Sequence, residues 1–234
     1  MTMSKSGKNY RAAAEKLQGK ESHSIKEAVT LLKETAATKF DGTAELHMNL
    51  NIDPKKQDQV LRGTMILPHG SGKTLKIAAV VGDDKVAAAK KAGADAAGLE
   101  DLIEEFSKGK INYDMILATP NTMKSLGKVA KVLGQKGLMP NPKSGTVTDD
   151  VEKTLDELKR GRIEYRNDKD GNVHTIFGKA SFKAEELENN LKSLLKTIRD
   201  ARPSGVKGTF IRSITVTSTM GPGIRIDAAE INDL

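Results

Sequence analysis

Ala44-Glu45-Leu46-His47-Met48-Asn49-Leu50-Asn51-Ile52 alternates without a break. Ala44, Leu46, Met48, Leu50 and Ile52 point one way, and Glu45, His47, Asn49 and Asn51 point the other. That period of two marks a strand with one face buried and one face wet, as in an antiparallel or mixed sheet. Pro54 ends it. A second strand, over about 61–67, stops at Pro68-His69-Gly70.

The pattern then changes. Ile77-Ala78-Ala79-Val80-Val81 is a continuous apolar run, typical of a strand covered on both faces. Gly82-Asp83-Asp84 opens a helix that stops at Gly93, a further helix covers about 99–106, and Met115-Ile116-Leu117-Ala118 is another buried strand. Met123, Leu126, Val129, Ala130 and Leu133 form one helix face. Strand and helix in alternation predict a small parallel α/β unit with right-handed crossovers. Asp149 is placed to cap a helix carrying Val151, Leu155 and Leu158.

Alternation returns over 162–167, and Asp168-Lys169-Asp170-Gly171 predicts a hairpin into 172–177. A long helix with Leu187, Leu191, Leu194, Leu195 and Ile198 follows. Upstream, Ser24-Ile25-Lys26-Glu27 reads as a capping box, after a basic start and a weak helical stripe of Tyr10, Ala13, Ala14 and Leu17. Half-buried strands thus lie at both ends of the chain and fully buried ones in the middle. The expected organisation is a discontinuous domain, residues 1–69 and 161–234, with residues 70–160 inserted into it. Two domains side by side would leave 43–67 without partners to cover its apolar face.

The last strand carries the functional signal. In Phe210-Ile211-Arg212-Ser213-Ile214-Thr215-Val216-Thr217-Ser218-Thr219-Met220-Gly221-Pro222, Phe210, Ile214 and Val216 share a face that Arg212 interrupts. Ser213, Thr215, Thr217 and Thr219 share the other. A hydroxyl-lined face ending in Met-Gly-Pro reads as a surface of short donors and acceptors, with bare backbone at Gly221 for a ligand to approach.

Composition narrows the ligand. A net charge of +7 favours a phosphate-rich partner. The chain has no cysteine, which removes disulfides and thiolate metal sites and suits the cytosol. No apolar run approaches a membrane span. Aromatics are only 3% of residues, too few for a base-stacking platform, so RNA would be read by shape, phosphates and riboses.

Several motifs are decoys. His69-Gly70-Ser71-Gly72-Lys73-Thr74 ends like a phosphate loop, but Leu67 occupies the first glycine and the motif precedes a strand. Gly93-Ala94-Asp95-Ala96-Ala97-Gly98 places Asp95 at the second glycine of the dinucleotide fingerprint. The four histidines are far apart in sequence and lack ligand spacing, and no catalytic constellation emerges. A small α/β enzyme using the middle domain would have only Asp83, Asp84 and Asn121 at its strand ends. An RNA chaperone without structural preference is the other rival.

Three further places are equivocal. The loop 133–146 is basic and dense in glycine and proline, and it reads either as a connector or as a phosphate-contacting surface built on Lys136 and Lys143. By spacing alone Phe40, in Lys39-Phe40-Asp41, reads as core at a helix–strand junction. Glu45 and Asp168 are equally placed to accept from ribose 2′-hydroxyls or to sit in solvent.

Five blocks, taken together, resemble bacterial large-subunit ribosomal protein L-one. They are Lys39-Phe40-Asp41; Arg62-Gly63-Thr64 with Leu67-Pro68-His69-Gly70; Gly137-Leu138-Met139-Pro140-Asn141-Pro142-Lys143; Gly161-Arg162-Ile163-Glu164-Tyr165-Arg166-Asn167-Asp168-Lys169; and Ser218-Thr219-Met220-Gly221-Pro222. The likeness spans about 8–227. It implies an α/β fold in which a Rossmann-like three-layer domain is inserted into a discontinuous α+β domain. It also implies a non-enzymatic, cytoplasmic ribosomal protein, monomeric when free and without a cofactor or metal. The partners implied are the 23S rRNA stalk, exit-site tRNA and the mRNA of its own operon, which relatives repress. Carried over by motif, the RNA surface would comprise Lys39, Phe40, Glu45, Asp168, Ser213, Thr217, Thr219, Met220 and Gly221, with secondary contacts from Lys136 and Lys143.

Overall fold

The structure, a computed structural model, describes residues 7–17 and 20–231. The expected basic start at residues 1–6 and the final residues 232–234 lie outside the described residues. Two compact units divide the chain: Met1–Gly72 with Ile163–Leu234, and Lys73–Arg162.

The first unit is built on a four-stranded antiparallel sheet. Strand β1 (Thr43–Leu50) lies at its centre, pairing on one side with β7 (Asn172–Lys179) and on the other with β8 (Ile211–Ser218). The edge strand β9 (Ile224–Ile226) completes the order β7-β1-β8-β9. Ala44, Leu46, Met48 and Leu50 are all buried, as the alternation requires, and they meet Ile214 and Val216 of β8 on the same face.

Two helices cover that face. Helix α2 (Ile25–Thr35) starts from the Ser24 capping box, in which the Ser24 hydroxyl accepts from the Glu27 amide and the Glu27 carboxylate accepts from the Ser24 amide. Helix α8 (Ala184–Asp200) turns Leu187, Leu191, Leu194, Leu195 and Ile198 into the core, all fully buried. Each such side chain contributes roughly 2 kcal/mol of transfer free energy. The short N-terminal helix α1 (Lys8–Glu15) adds only Ala13 to the buried set, and Tyr10 stays exposed.

Three expectations need correction. Arg212 does not break the inward row of β8. The register runs Asn49 to Ser213 and then Leu50 to Ile211, so a β-bulge extrudes Arg212 and returns Ile211 to the core. Arg212 is exposed and donates to the Asn51 side chain. Next, 162–167 and 172–177 do not form a hairpin ladder: strand β6 (Arg162–Arg166) pairs with β2 (Arg62–Ile66) in a separate sheet, while β7 joins β1. Among the described residues one bridge, Asn167 to Val173, joins the two segments beside the Asp168–Asn172 bonds of the turn, and the Tyr165 ring of β6 packs on Gly63 of β2. Finally, the residue flanking helix α7 (Val151–Lys159) is Asp150 rather than Asp149, and its side chain makes no capping bond.

The second unit has three layers. Parallel strands are ordered β4 (Ala96–Gly98), β3 (Ile77–Val80), β5 (Met115–Ala118). Strand β3 is buried throughout. Helices α3 (Asp83–Lys91) and α7 cover one face through Ala89, Val151, Leu155 and Leu158. The other face is covered by α4 (Glu100–Ser107) and by a segment made of α5 (Met123–Leu126), a 3-10 turn, and α6 (Ala130–Gln135), through Leu102, Phe106, Leu126, Val129 and Leu133. The alternation of motifs had not disclosed β4. Three small residues, Ala-Ala-Gly, carry too little apolar signal, and their strand is defined by pairing with β3.

Candidate nucleic-acid interface

The outer face of the four-stranded sheet is a ladder of mostly polar side chains, with the partly buried Ile176 among them. Strand pairing sets its rows. Glu45 lies opposite Thr217 and Ile176; His47 opposite Thr215 and His174; Asn49 opposite Ser213 and Asn172; Arg225 of β9 extends the histidine row beside Thr215. Period-two geometry puts every one of these on the side away from α2 and α8, and none is buried.

Neighbours along the rows bond to one another. Asn49 Nδ2 donates to Asn172 Oδ1 at 2.7 Å. His47 Nδ1 lies 2.8 Å from His174 Nδ1. The far nitrogens face carboxylates: His47 Nε2 is 3.6 Å from Glu45 Oε2, and His174 Nε2 is 3.6 Å from Asp168 Oδ2. Partial burial, then the neighbouring His174, hold the His47 imidazole below its ordinary pKa, against an opposing pull from Glu45. Separation in sequence hid this pair, since only the β1–β7 register brings the two rings together.

Asp168 is engaged by its own turn. It accepts from the amides of Asp170 and Asn172 at 2.8 and 2.7 Å and from Asn172 Nδ2 at 3.0 Å. Those bonds, with the Asn172 amide foremost, lower its pKa to about 2. A carboxylate so committed fixes the turn at the rim and has limited capacity left for a ribose hydroxyl.

At the end of β8 the chain makes a tight, outward turn. Thr219 is tied to the start of β1: the Thr43 amide donates to Thr219 Oγ1 at 2.9 Å, and the Thr219 amide donates to the Thr43 carbonyl at 3.0 Å. The Thr217 hydroxyl donates toward the carbonyls of Ser218, Gly221 and Pro222. Gly221 closes the turn through its amide onto the Ser218 carbonyl at 2.7 Å, and a Cβ there would collide with the Ser218 hydroxyl. Glycine at 221 thus lets the turn close tightly over Ser218. Thr217 and Thr219 act as its braces rather than as free donors.

Their product is Met220. It sits at φ 64°, the one described non-glycine residue with positive φ, and its side chain is 78% exposed. Left-handed backbone costs a side-chain-bearing residue about 1–2 kcal/mol. Phe40, 58% exposed, lines the same cleft as Met220, with Lys39 and Tyr10. The core reading of Phe40 from spacing is thus wrong. Asp41 anchors the segment, accepting from the Ser181 amide at 3.1 Å and the Ser181 hydroxyl at 2.9 Å, and leaves the ring outside. Ser213 is exposed on the asparagine row.

The first unit gathers Lys39, Phe40, Glu45, Thr217, Thr219, Met220 and Gly221 at the Thr43 end of the sheet face and its rim, and sets Ser213 and Asp168 at the opposite, Asn49 end. Lys136 and Lys143 belong to the second unit, where both are exposed. Residues on the face that sequence reasoning did not select are His47, Asn49, Asn172, His174 and Arg225. The alternation around Glu45 held a signal for the first two; the others needed the pairing. Among the described residues no group of three or more His, Cys, Asp or Glu could hold a metal ion, and no helix is long and apolar enough to cross a membrane.

These features define a two-unit α/β protein presenting an open polar sheet face. Comparison with known proteins sharpens the assignment. The chain belongs to the Ribosomal protein L1p/L10e family, whose model matches residues 32–222. It is 50% identical over 220 residues to the large ribosomal subunit protein uL1 of Chlorobium luteolum, covering 94% of this chain and 96% of that one. Against the uL1 protein of Mesoplasma florum identity is 49%, covering 96% and 99%. Against that of Mycobacteroides abscessus it is 48%, covering 96% of each.

Proposed function

We propose that this chain is a structural, non-catalytic protein of the large ribosomal subunit in the cytoplasm, and that it binds 23S rRNA directly through the outer face of β7-β1-β8-β9. One observation carries the reading: a side chain held out at strained backbone, Met220, at the end of an uncovered polar sheet face. Strain of this kind persists where surrounding structure enforces it, and it concentrates at binding sites.

The face suits RNA. Asparagine, serine and histidine side chains offer short donors and acceptors to sugars and base edges, and Arg225 and Lys39 add attraction to phosphate. Phe40 and Met220 supply apolar surface for a ribose or an unstacked base. Lys136 and Lys143 add secondary contacts. The family supports a finer assignment: the RNA is the mobile stalk beside the exit site, the protein helps deacylated tRNA to leave, and the same face recognises a like structure in its own operon's mRNA and represses translation.

Filter binding with a stalk-domain fragment of 23S rRNA tests the face. Met220→Asp places a carboxylate where the RNA docks and weakens binding at least tenfold, with the circular-dichroism spectrum unchanged. Wild-type affinity in that variant would remove Met220 from the site and the reading with it.

A further inference from the structure

The second unit has a charge pattern of its own. Between Asp114 and Asp149 there is no acidic residue, while Lys124, Lys128, Lys131, Lys136 and Lys143 all fall there. Three of them lie exposed along the α5–α6 segment, two short α-helices joined by a 3-10 turn. Leu126, Val129 and Leu133 point into the core, and Lys124, Lys128 and Lys131 line the exposed side. None of the five ammonium groups takes part in a hydrogen bond or an ion pair among the described residues. The neighbouring helix α4 carries Glu100, Asp101, Glu104 and Glu105, yet it reaches none of these lysines; Glu104 is paired with Lys108 at 3.3 Å.

The same face is bare between its charges. Gly127 and Gly134 lie on it in helical conformation, and a Cβ at either would meet nothing within 4 Å. Neither backbone geometry nor packing within the chain accounts for glycine there, and in a helix glycine is less stable than alanine. Glycine does allow another backbone to come close. From Lys124 to Lys131 the segment rises roughly 10–14 Å, at about 1.5 Å per α-helical and about 2 Å per 3-10 residue, which matches about three to four successive phosphates of one strand at about 3.4 Å each.

Lys143 is presented differently but just as firmly. Its turn is locked by the Lys143 amide on Asn141 Oδ1 at 2.8 Å, the Asn141 amide on Thr146 Oγ1 at 2.8 Å, and Arg162 Nη2 on the Ser144 carbonyl at 3.3 Å. The Ala118 amide then donates to the Thr146 carbonyl at 3.0 Å, stitching the loop to β5.

We infer that the exposed face of the α5–α6 segment is a second RNA-binding surface, one that tracks the sugar–phosphate backbone of an RNA helix without reading its sequence. Lys124, Lys128 and Lys131 neutralise phosphates, and Gly127 and Gly134 let the strand approach the helix. This surface stands independently of the sheet face.

The test uses the full chain and a perfectly paired RNA duplex of about twenty base pairs, which has no loop for the sheet face to recognise. Affinity is followed by fluorescence anisotropy from about 50 to 300 mM KCl. Lys124→Gln/Lys128→Gln/Lys131→Gln lowers the slope of log K against log salt by roughly 2.7, at about 0.9 per lost contact, and weakens binding at least tenfold at the lowest salt. Gly127→Ala/Gly134→Ala raises the melting temperature by about 2–4 °C and still weakens duplex binding severalfold. Met220→Asp leaves both slope and affinity for the duplex unchanged. An unaltered slope in the triple variant would overturn the inference and hand the lysines to an acidic protein partner. Loss of duplex binding in Met220→Asp with none in the triple variant would overturn it too, by assigning all the RNA affinity to the sheet.

Discussion

His47 and His174 face each other across the β1–β7 pair with their Nδ1 atoms 2.8 Å apart, each backed by a carboxylate. One proton between the two nitrogens makes a hydrogen bond; two make a repulsion. His47 has its pKa depressed in the folded chain, chiefly by partial burial. Unfolding restores the ordinary value near 6.5, so the unfolded chain binds the proton more readily. The stability linked to His47 is complete above about pH 6.5 and is lost as pH falls through the depressed folded value. Urea unfolding between about pH 7.5 and 5 shows this as a falling midpoint, and His47→Gln flattens the fall. Equal slopes in wild type and variant would refute it.

Asp168 titrates lower. Its pKa of about 2 lies below the ordinary carboxylate value. Its contribution is present above about pH 4 and disappears as pH falls toward 2. Asp168→Asn loosens the 168–171 turn and weakens RNA binding severalfold, because Asn172 and His174 lose their anchor. NMR titration of the Asp168 carboxyl carbon gives the value directly; an ordinary midpoint would contradict the turn's hydrogen bonds.

Asn190 is a stability element. Fully buried on α8, it accepts from the His69 amide at 2.9 Å and donates to the carbonyls of Gly70 and Phe177 at 3.0 and 2.8 Å. Asn190→Leu leaves three polar backbone groups without that partner and destabilises the first unit by about 3 kcal/mol, at roughly 1–3 kcal/mol per orphaned group. Chemical denaturation followed by far-UV circular dichroism measures it. A loss below about 1 kcal/mol would mean that other groups or water take Asn190's place.

Met220→Gly separates stability from binding. Glycine relieves the positive φ, so the variant is as stable as wild type or gains up to about 1 kcal/mol. It loses the exposed thioether and binds stalk RNA at least fivefold more weakly. Thermal melts and filter binding on one preparation decide the matter; a variant both destabilised and tight-binding would invert the interpretation.

Much of this was legible in the sequence, because hydrophobic periodicity reports burial directly. The alternation of 44–50, the solid run from Ile77, and the spacing of Leu187 to Ile198 each defined an element and its covered face. What pairing decides was not legible. The bulge that expels Arg212, the parting of β6 from β7, the three-residue β4 and the meeting of His47 with His174 depend on register between distant segments. Local sequence does not encode that register. The site was half visible: hydroxyls on β8 marked the face, but the structure shows Thr217 and Thr219 bracing a turn that presents Met220. Phe40 misled because an aromatic at a helix–strand junction usually packs inward, and here Asp41 holds the segment so that the ring stays out.

The claim that the sheet face recognises a particular folded RNA is tested most directly by competition. A labelled stalk-domain fragment of 23S rRNA is bound to the full chain near physiological salt and challenged with unlabelled fragment or with bulk tRNA. The account predicts that the unlabelled fragment displaces it at stoichiometric concentration, whereas bulk tRNA requires at least a hundredfold more. Equal displacement by both would show a general polyanion binder and contradict it.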